Sequence, residues 1–364
     1  MAARFSKSIH FEGIPVPDRG AIYANRASNM KDSSMKTLQE PSIEFVMGCV
    51  MLAFYNLVEG HFGPGSVLTS VCVRFMYDLC LDEIDEDQFD EEGTLINCPI
   101  SESVESWLQK EERRRLWWSI WELDTFVSTI SFQPFSIERG EMKVLLPAPD
   151  YNWLCGIPIR SAFIDHRPET VWKSLQGSPN QSPRAWFLVT NYLKSNIVLN
   201  ARRPSRHAKL SKADLESALC NLKLSLPADF HLRSLFLDWD NYEQGNWIIA
   251  THLMIITSET ILERSTWSRY GEIDIEPSSG FQDKSQFAKR ITSYLYRVGQ
   301  VWSPEYIPLC HPIVCCAVIV PGSTDTNQSD NALRGREVAR TIVAHYSKYW
   351  KLGTEMLRKP TQKL

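Results

Sequence analysis

One segment, EERRRLWWSIWELDTFVSTI at residues 111–130, constrains the fold of this chain more than any other. On an α-helix its apolar residues recur at steps of 4, 3, 4 and 3, so they form one continuous stripe that a soluble helix has to bury. The stripe consists of Leu116, Ile120, Leu123, Val127 and Ile130, with Trp117 and Trp121 one turn apart beside it. The segment therefore predicts a long helix packed into a core.

The same segment places three arginines directly before its tryptophans, a combination that also occurs on surfaces that bind single-stranded nucleic acid. Such a surface needs exposed rings, whereas these rings adjoin the stripe that the helix has to bury. The arginines precede the aromatic residues and do not alternate with them, and Arg115, Ser119 and Glu122 form an opposing polar strip. We therefore interpret the segment as a buried structural helix with a charged first turn.

Asp124 interrupts the buried side of this predicted helix, one turn after Ile120. A carboxylate at such a position must be paired or hydrogen-bonded, because burying an isolated charge costs on the order of several kcal/mol. We expect its partner to be a cation or donor on another helix, and Arg74 is the candidate. Acid catalysis by Asp124 would need a second functional group, and the sequence shows none beside it.

The other patterned segments also have the period of a helix, and neither a strand pair nor an internal repeat is evident. Residues 132–160 are rich in Pro and Gly and predict an irregular crossing, whereas SLQGSPNQSP at 174–183 indicates a flexible loop and a candidate subdomain boundary. Ser211 and Asp214 have the spacing of a capping box. Helices are predicted over 41–59, 64–80, 184–203, from 211 onward, and over 245–265, 284–302 and 331–357. We expect an all-α fold, a large irregular multi-helix bundle that forms one domain over 1–364.

Composition excludes several classes of protein. The net charge is −4 and the pI is near 6.1, so the chain is not a domain whose whole surface binds nucleic acid. Nine cysteines without the short spacings of a disulfide framework indicate a reducing compartment. The N-terminus lacks the apolar region of a secretory signal, and the longest apolar run, near 313–320, is too short to cross a bilayer. We expect a soluble intracellular protein with no membrane partner.

Catalytic, cofactor and metal motifs are missing from the sequence. It contains no hydrolase elbow, P-loop, dinucleotide fingerprint or zinc-protease motif, and we predict no catalytic, cofactor-binding or metal-binding residues. The nearest metal candidate joins Cys310 and His311 to Cys315 and Cys316, and cysteines spaced in this way are more often small buried apolar residues. His252 lies inside an apolar helix and is expected in the core, although such a histidine can also line a pocket.

Two charged segments are interpreted as solvated. DEIDEDQFDEE at 82–92 departs from the order of a calcium loop, so we expect a solvated loop. The basic segment ARRPSRHAK at 201–209 fits a nuclear import patch, but cations at a helix end are also favoured by the helix dipole. We prefer the second interpretation.

The order of these motifs resembles the middle homology region of fungal binuclear zinc-cluster transcription factors. That region shows a charged turn, an R-R-x-W-W motif, an aliphatic-Leu-Asp motif, and a crossing that ends in Leu-Pro. The matching residues here are Arg114, Arg115, Trp117, Trp118, Trp121, Leu123 and Asp124, followed by Pro134 and Leu146-Pro147. The resemblance continues through 63–83, 215–230, 310–320 and 345–353, so it covers nearly the whole chain.

The sequence departs from the family pattern at three places. Thr125 stands where the family commonly has Arg, and Pro321-Gly322 interrupt a segment that the family continues as a helix. The N-terminal array of six cysteines that holds two zinc ions in the family is missing, and MAARFS at 1–6 resembles the end of an early helix of the region. We expect that the chain begins inside the domain, either because the gene has lost its front or because the start was placed too far downstream.

The resemblance implies a nuclear regulator of RNA polymerase II genes, often metabolic or biosynthetic gene clusters. Its partners are expected to be the transcription machinery or co-regulators, and a small-molecule effector can act on the domain. DNA is expected to bind only through the missing zinc-cluster module, zinc is not expected in this chain, and a homodimer is left open. The alternatives are a free-standing protein-interaction protein, such as a truncated paralogue, and a helical enzyme of an unrecognised type.

Overall fold

The computed structural model describes residues 2–89, 103–131, 133–140, 142–202, 210–270, 280–311 and 330–358. In these ranges the regular elements are all helices, and no strand occurs, which confirms the all-α fold. The predictions made for 313–320, for most of 201–209 and for the end of the acidic segment lie outside the described residues.

Contacts between Cα atoms divide the chain into two compact units. One unit consists of Met1–His166 and Ser174–Ala185, and the other of Arg167–Lys173 and Trp186–Leu364. The prediction of one domain over 1–364, with a break near 174–183, stays a prediction.

Within its described residues, the first unit holds α-helices and several short 3₁₀ turns. Residues 2–5 form one of these turns, and the buried Arg4 side chain forms an ion pair with the buried Glu59. The α-helices are α1 (Ala21–Met35), α2 (Ile43–Val58), α3 (Phe62–Asp78), α4 (Val104–Ser131) and α5 (Asp150–Leu154).

Helices α2 and α3 form the antiparallel hairpin on which α4 packs. The ring of Phe45, near the start of α2, lies 6.0 Å from the ring of Phe75, near the end of α3. At the other end, a Cβ added to Gly65 would come within 2.6 Å of the Leu57 side chain. Only glycine allows the two helices to approach this closely beside their short connection.

Helix α1 was not predicted from the sequence, and its burial explains why. None of its residues is buried, and its apolar residues Ile22, Tyr23 and Met30 are exposed. A helix without a buried face carries no apolar periodicity, which is the main signal for a helix in a sequence.

The second unit is built from helices that the sequence pattern located well. Ser211 and Asp214 form the predicted capping box, since each side chain accepts the backbone N–H of the other residue. The helices are α7 (Lys212–Ser225), α8 (Tyr242–Tyr270), α9 (Gly280–Val301), α10 (Asp330–Ser347) and α11 (Lys351–Arg358), while α6 (Pro183–Arg202) begins in the first unit and continues into the second.

The single helix predicted over 331–357 is wrong, because the chain breaks between α10 and α11. A Cβ added to Gly353 would lie 2.9 Å from the backbone nitrogen of Ser347, so the start of α11 folds closely onto the end of α10. Trp350 lies in the break, buried, and its indole N–H donates to the Pro308 carbonyl at 2.8 Å. This indole contact and the missing Cβ of Gly353 determine the turn. Neither changes the spacing of apolar residues, so the sequence pattern does not reveal the break.

Candidate functional site

The first candidate site is the tryptophan cluster of α4. Trp117, Trp118 and Trp121 are completely buried. The Trp117 and Trp118 rings meet edge to face at 4.6 Å and 84°, and the Trp118 and Trp121 rings at 5.4 Å and 65°. The Trp118 indole N–H donates to the Leu145 carbonyl at 2.8 Å. The three rings are therefore inside the first unit, where they cannot stack on nucleic-acid bases.

Arg114 forms a buried ion pair with Asp85. Its Nε lies 2.9 Å from Asp85 Oδ2, and its Nη2 lies 2.5 Å from Oδ1. Asp85 also accepts the backbone N–H of Leu145 at 2.9 Å. One carboxylate therefore ties the acidic segment to α4 and to the chain that follows α4.

The position of Asp85 corrects the prediction that 82–92 is a solvated loop. Its neighbours Glu83, Glu86 and Asp87 are exposed as expected, whereas Asp85 is completely buried. The surrounding acids hid this residue, because nothing in the local pattern distinguishes the one carboxylate that faces inward. Its only sequence signal is the cluster of arginines on α4, which predicts that some acid must face them.

Arg115 and Glu111 attach the chain after α4 to the helix. Glu111 Oε1 accepts the Ala148 backbone N–H at 2.8 Å and the Arg115 Nε–H at 3.0 Å. Arg115 donates to the Ala148 carbonyl at 2.7 Å and to Asp150 at 2.6 Å. Burial raises the pKa of Glu111, and the two nearby guanidinium groups oppose that rise. The charged residues that precede the tryptophans of α4 thus hold the crossing in place.

The polar strip of α4 is largely covered by the rest of the protein. Arg115 and Ser119 are half-buried, and Glu122 is buried. Glu122 Oε2 accepts from Arg184 Nη2 at 3.2 Å, and burial raises the pKa of this carboxyl despite the guanidinium.

Asp124 is held by backbone donors and not by Arg74, so that prediction is wrong. Its carboxylate accepts the N–H groups of Ser136 at 3.0 Å and of Ile137 at 3.3 Å. Arg74 instead pairs with Asp78 at 3.2 Å, and its side chain is 78% exposed. The chain after α4 turns back and supplies the donors, so no cation on another helix is required. Leu123 beside it is buried as predicted.

Arg139 brings a guanidinium back to the position next to Asp124. It lies 4.7 Å from the centre of the Trp121 ring, and its Nη2 donates to Thr125 Oγ1 at 2.6 Å. Burial raises the pKa of Asp124, and the Ser136 hydrogen bond and the Arg139 charge oppose the rise. Thr125 stands where the family commonly has Arg, and here an arginine from the crossing supplies a charge near Asp124. The assignment of the seven matching α4 residues to one structural motif of the family stays a prediction.

The second candidate site is a basic cleft of about 960 Å³ within the second unit. It lies between the end of α7, residues 231–234, α8 and α9. None of the described residues that line it is acidic. Its five Lys and Arg residues are Lys223, Arg233, Lys289, Arg290 and Arg297.

His252 and Tyr294 form the inner wall of the basic cleft. His252 Nε2 lies 2.7 Å from the Phe230 carbonyl, which can only accept, so Nε2 carries the proton. Nδ1, 2.5 Å from the Tyr294 hydroxyl, then accepts a hydrogen bond from that hydroxyl. Burial lowers the pKa of His252 and raises that of Tyr294. The prediction of a buried histidine is confirmed, and the residue also lines a pocket.

Most of the first unit is similar to a known protein family. Residues 2–153 match the family model described as the fungal specific transcription factor domain. The match contains α1–α4, the acidic segment and most of the crossing, and it ends within α5. The matched family is a transcription factor domain and not an enzyme. The basic cleft lies outside the matched residues.

Three curated proteins are similar to parts of the chain. The tropolone cluster transcription factor tropK of Talaromyces stipitatus is 28% identical over 37% of this chain. The transcription factor tazR of Aspergillus terreus is 28% identical over 34%, and the pigment biosynthesis transcriptional activator pigB of Monascus ruber is 24% identical over 44%. The aligned parts cover 22%, 18% and 28% of these relatives, which is less than a third of each. No solved structure matches the chain.

Two kinds of site are not found in the part of the chain that the structure describes. No group of three or more His, Cys, Asp or Glu side chains there could hold a metal ion. No helix among the same residues is both long and apolar enough to cross a membrane.

Proposed function

We propose, from the premise that residues 2–153 are a fungal specific transcription factor domain, that the chain is the regulatory part of a transcription regulator that controls a biosynthetic gene cluster. The family match over these residues is the observation that carries the proposal. Two of the three relatives are named for a tropolone cluster and for pigment biosynthesis, which supports the choice of target genes.

The proposed mechanism is indirect. The helical chain acts in the nucleus, receives a signal from a small-molecule effector or a protein partner, and biases a DNA-binding module and the transcription machinery. The buried tryptophans of α4 support an indirect role, since the rings that follow its arginines offer no surface for bases. The net charge of −4 supports it too, because a domain whose whole surface binds nucleic acid is normally strongly basic.

The test is deletion of the gene, followed by transcript profiling under conditions that induce secondary metabolism. The proposal predicts that transcripts of one contiguous group of biosynthetic genes change, and that the unaltered gene restores them. Unchanged transcripts in every such group would overturn the choice of target genes.

A second experiment tests the indirect mechanism. The purified chain is mixed with fragments of the promoters whose transcripts change, at near-physiological salt, with random DNA of equal length as the control. We expect no preference for the promoters. Sequence-specific binding by these 364 residues alone would contradict the indirect mechanism.

A further inference from the structure

We propose that the basic cleft binds a small organic dianion that has an aromatic or other flat apolar body, either a dicarboxylate or a phosphate monoester. This inference deepens the proposed function, on which its regulatory meaning rests, because the cleft becomes the effector site. The binding itself depends only on the geometry of the second unit.

The charge of the basic cleft points to an anion. Five Lys and Arg side chains line it, and no acidic side chain among the described residues does so. Lys223 Nζ lies 2.6 Å from Glu259 Oε1, and this carboxylate, which is not one of the lining residues, partly neutralises the lysine charge. The cations come from three segments, α7, residues 231–234 and α9, in a chain whose net charge is −4. A dianion would reduce the repulsion among them.

The inner wall points to the body of the ligand. Leu232 and His252 are buried and line the cleft together with the Tyr294 ring. The His252 ring nitrogens are taken by the Phe230 carbonyl and by the Tyr294 hydroxyl. The wall therefore offers apolar and aromatic surface, while the rim of the cleft offers charge. An amphipathic ligand with its charges at one end matches this division.

The size of the cleft and its buried inner wall favour a small molecule over a nucleic acid. Its volume of about 960 Å³ is that of a small-ligand pocket. A nucleic-acid backbone follows an extended strip of cations and does not need a buried wall.

The experiment is calorimetric titration of the full chain with two dianions, isophthalate and phenyl phosphate, which separate the carboxylate from the phosphate source. Neutral isophthalamide has the same aromatic body and is the ligand control. The test protein is a double variant that carries both Arg233→Gln and Arg297→Gln, at two exposed positions on the rim of the cleft. The protein control is Arg358→Gln, whose side chain is 72% exposed and pairs with Glu355 outside the cleft. Circular dichroism melting checks that the variants are folded.

We expect one of the dianions to bind with a Kd at or below about 1 mM. Binding of that dianion should weaken about tenfold in the double variant, and also on raising the salt from about 0.05 M to about 0.5 M, since the attraction is between charges at an open rim. Isophthalamide should bind about tenfold more weakly than isophthalate, because it has the same ring without the charges. Arg358→Gln should bind as the unaltered chain does.

Three results would overturn the inference: no binding of either dianion, equal binding of isophthalamide, or equal weakening by Arg358→Gln. Binding of a single-stranded oligonucleotide that depends on Arg233 and Arg297, without binding of either dianion, would also overturn it and would indicate a nucleic-acid surface. Because the titration does not measure transcription, it can fail while the deletion experiment succeeds, and the reverse also holds.

Discussion

Arg114 and Asp85 meet as a bidentate ion pair in the interior of the first unit, with the Arg114 Nη2 2.5 Å from Asp85 Oδ1 and the Nε 2.9 Å from Oδ2. The two residues are 29 positions apart and join the acidic segment to α4. Both side chains are buried, so water does not solvate either charge and each one is neutralised by the other.

Asp85→Ala is expected to destabilise the first unit by about 3–5 kcal/mol, because it leaves the Arg114 guanidinium buried without its main partner. The measurement is urea unfolding followed by tryptophan fluorescence. Asp87→Ala is the matched control, since Asp87 lies two residues away, is exposed and pairs with Lys110 at 2.7 Å. Equal effects of the two substitutions would show that the buried pair does not stabilise the unit.

Trp117→Ala and Trp121→Ala are each expected to cost about 3–5 kcal/mol of stability, because each removes a completely buried ring from the cluster. Trp239→Ala is the control of the same residue type, since Trp239 is 67% exposed. Unfolding is followed by circular dichroism, because fluorescence changes with the number of tryptophans. Unchanged stability in both α4 variants would contradict the placement of the helix.

Glu122→Gln is expected to change how stability depends on pH. Burial raises the folded pKa of Glu122 above its ordinary 4.5, so the folded state holds the proton more tightly than the unfolded state. The unaltered chain therefore gains stability relative to the variant as the pH falls toward 4.5, and loses it as the pH rises through the raised pKa. Thermal unfolding from about pH 8 to about pH 5 measures this, with the exposed Glu112→Gln on the same helix as control. A pH-independent difference would contradict the account of Glu122.

His252→Gln is expected to have the opposite effect in the second unit. Burial lowers the folded pKa of His252 below 6.5, so the neutral ring stabilises the fold above pH 6.5 and this contribution is lost as the pH falls. Below pH 6.5 the unaltered chain should lose stability relative to the variant. His231→Gln, at an exposed position of the same cleft, is the control. If the His252 and His231 variants follow the same pH dependence, the buried neutral histidine is not what sets it.

The sequence was sufficient to predict those features that depend on local residue patterns. The capping box of α7 is a local pattern and appears where it was expected. The stripe of α4 is buried at Leu116, Ile120 and Leu123, whereas its last two residues, Val127 and Ile130, are half-buried. Helix α1 was missed because it buries nothing, so it has no stripe to detect.

The contacts that were missed depend on tertiary structure or on backbone groups. Asp124 is held by two backbone N–H groups, which every residue except proline possesses, so the sequence could not single them out. The cations of the basic cleft lie on three segments between Lys223 and Arg297, and only the packing of α7, α8 and α9 brings them together.

A reporter assay tests directly whether this chain regulates transcription when a separate domain binds the DNA. Residues 1–364 are fused to a heterologous DNA-binding domain and expressed with a reporter gene that carries its site. We expect the fusion to change reporter transcription relative to the DNA-binding domain alone, in either direction, and we expect Asp85→Ala to weaken the change by destabilising the first unit. Reporter transcription equal to that of the DNA-binding domain alone, from a fusion shown to be folded and nuclear, would contradict it.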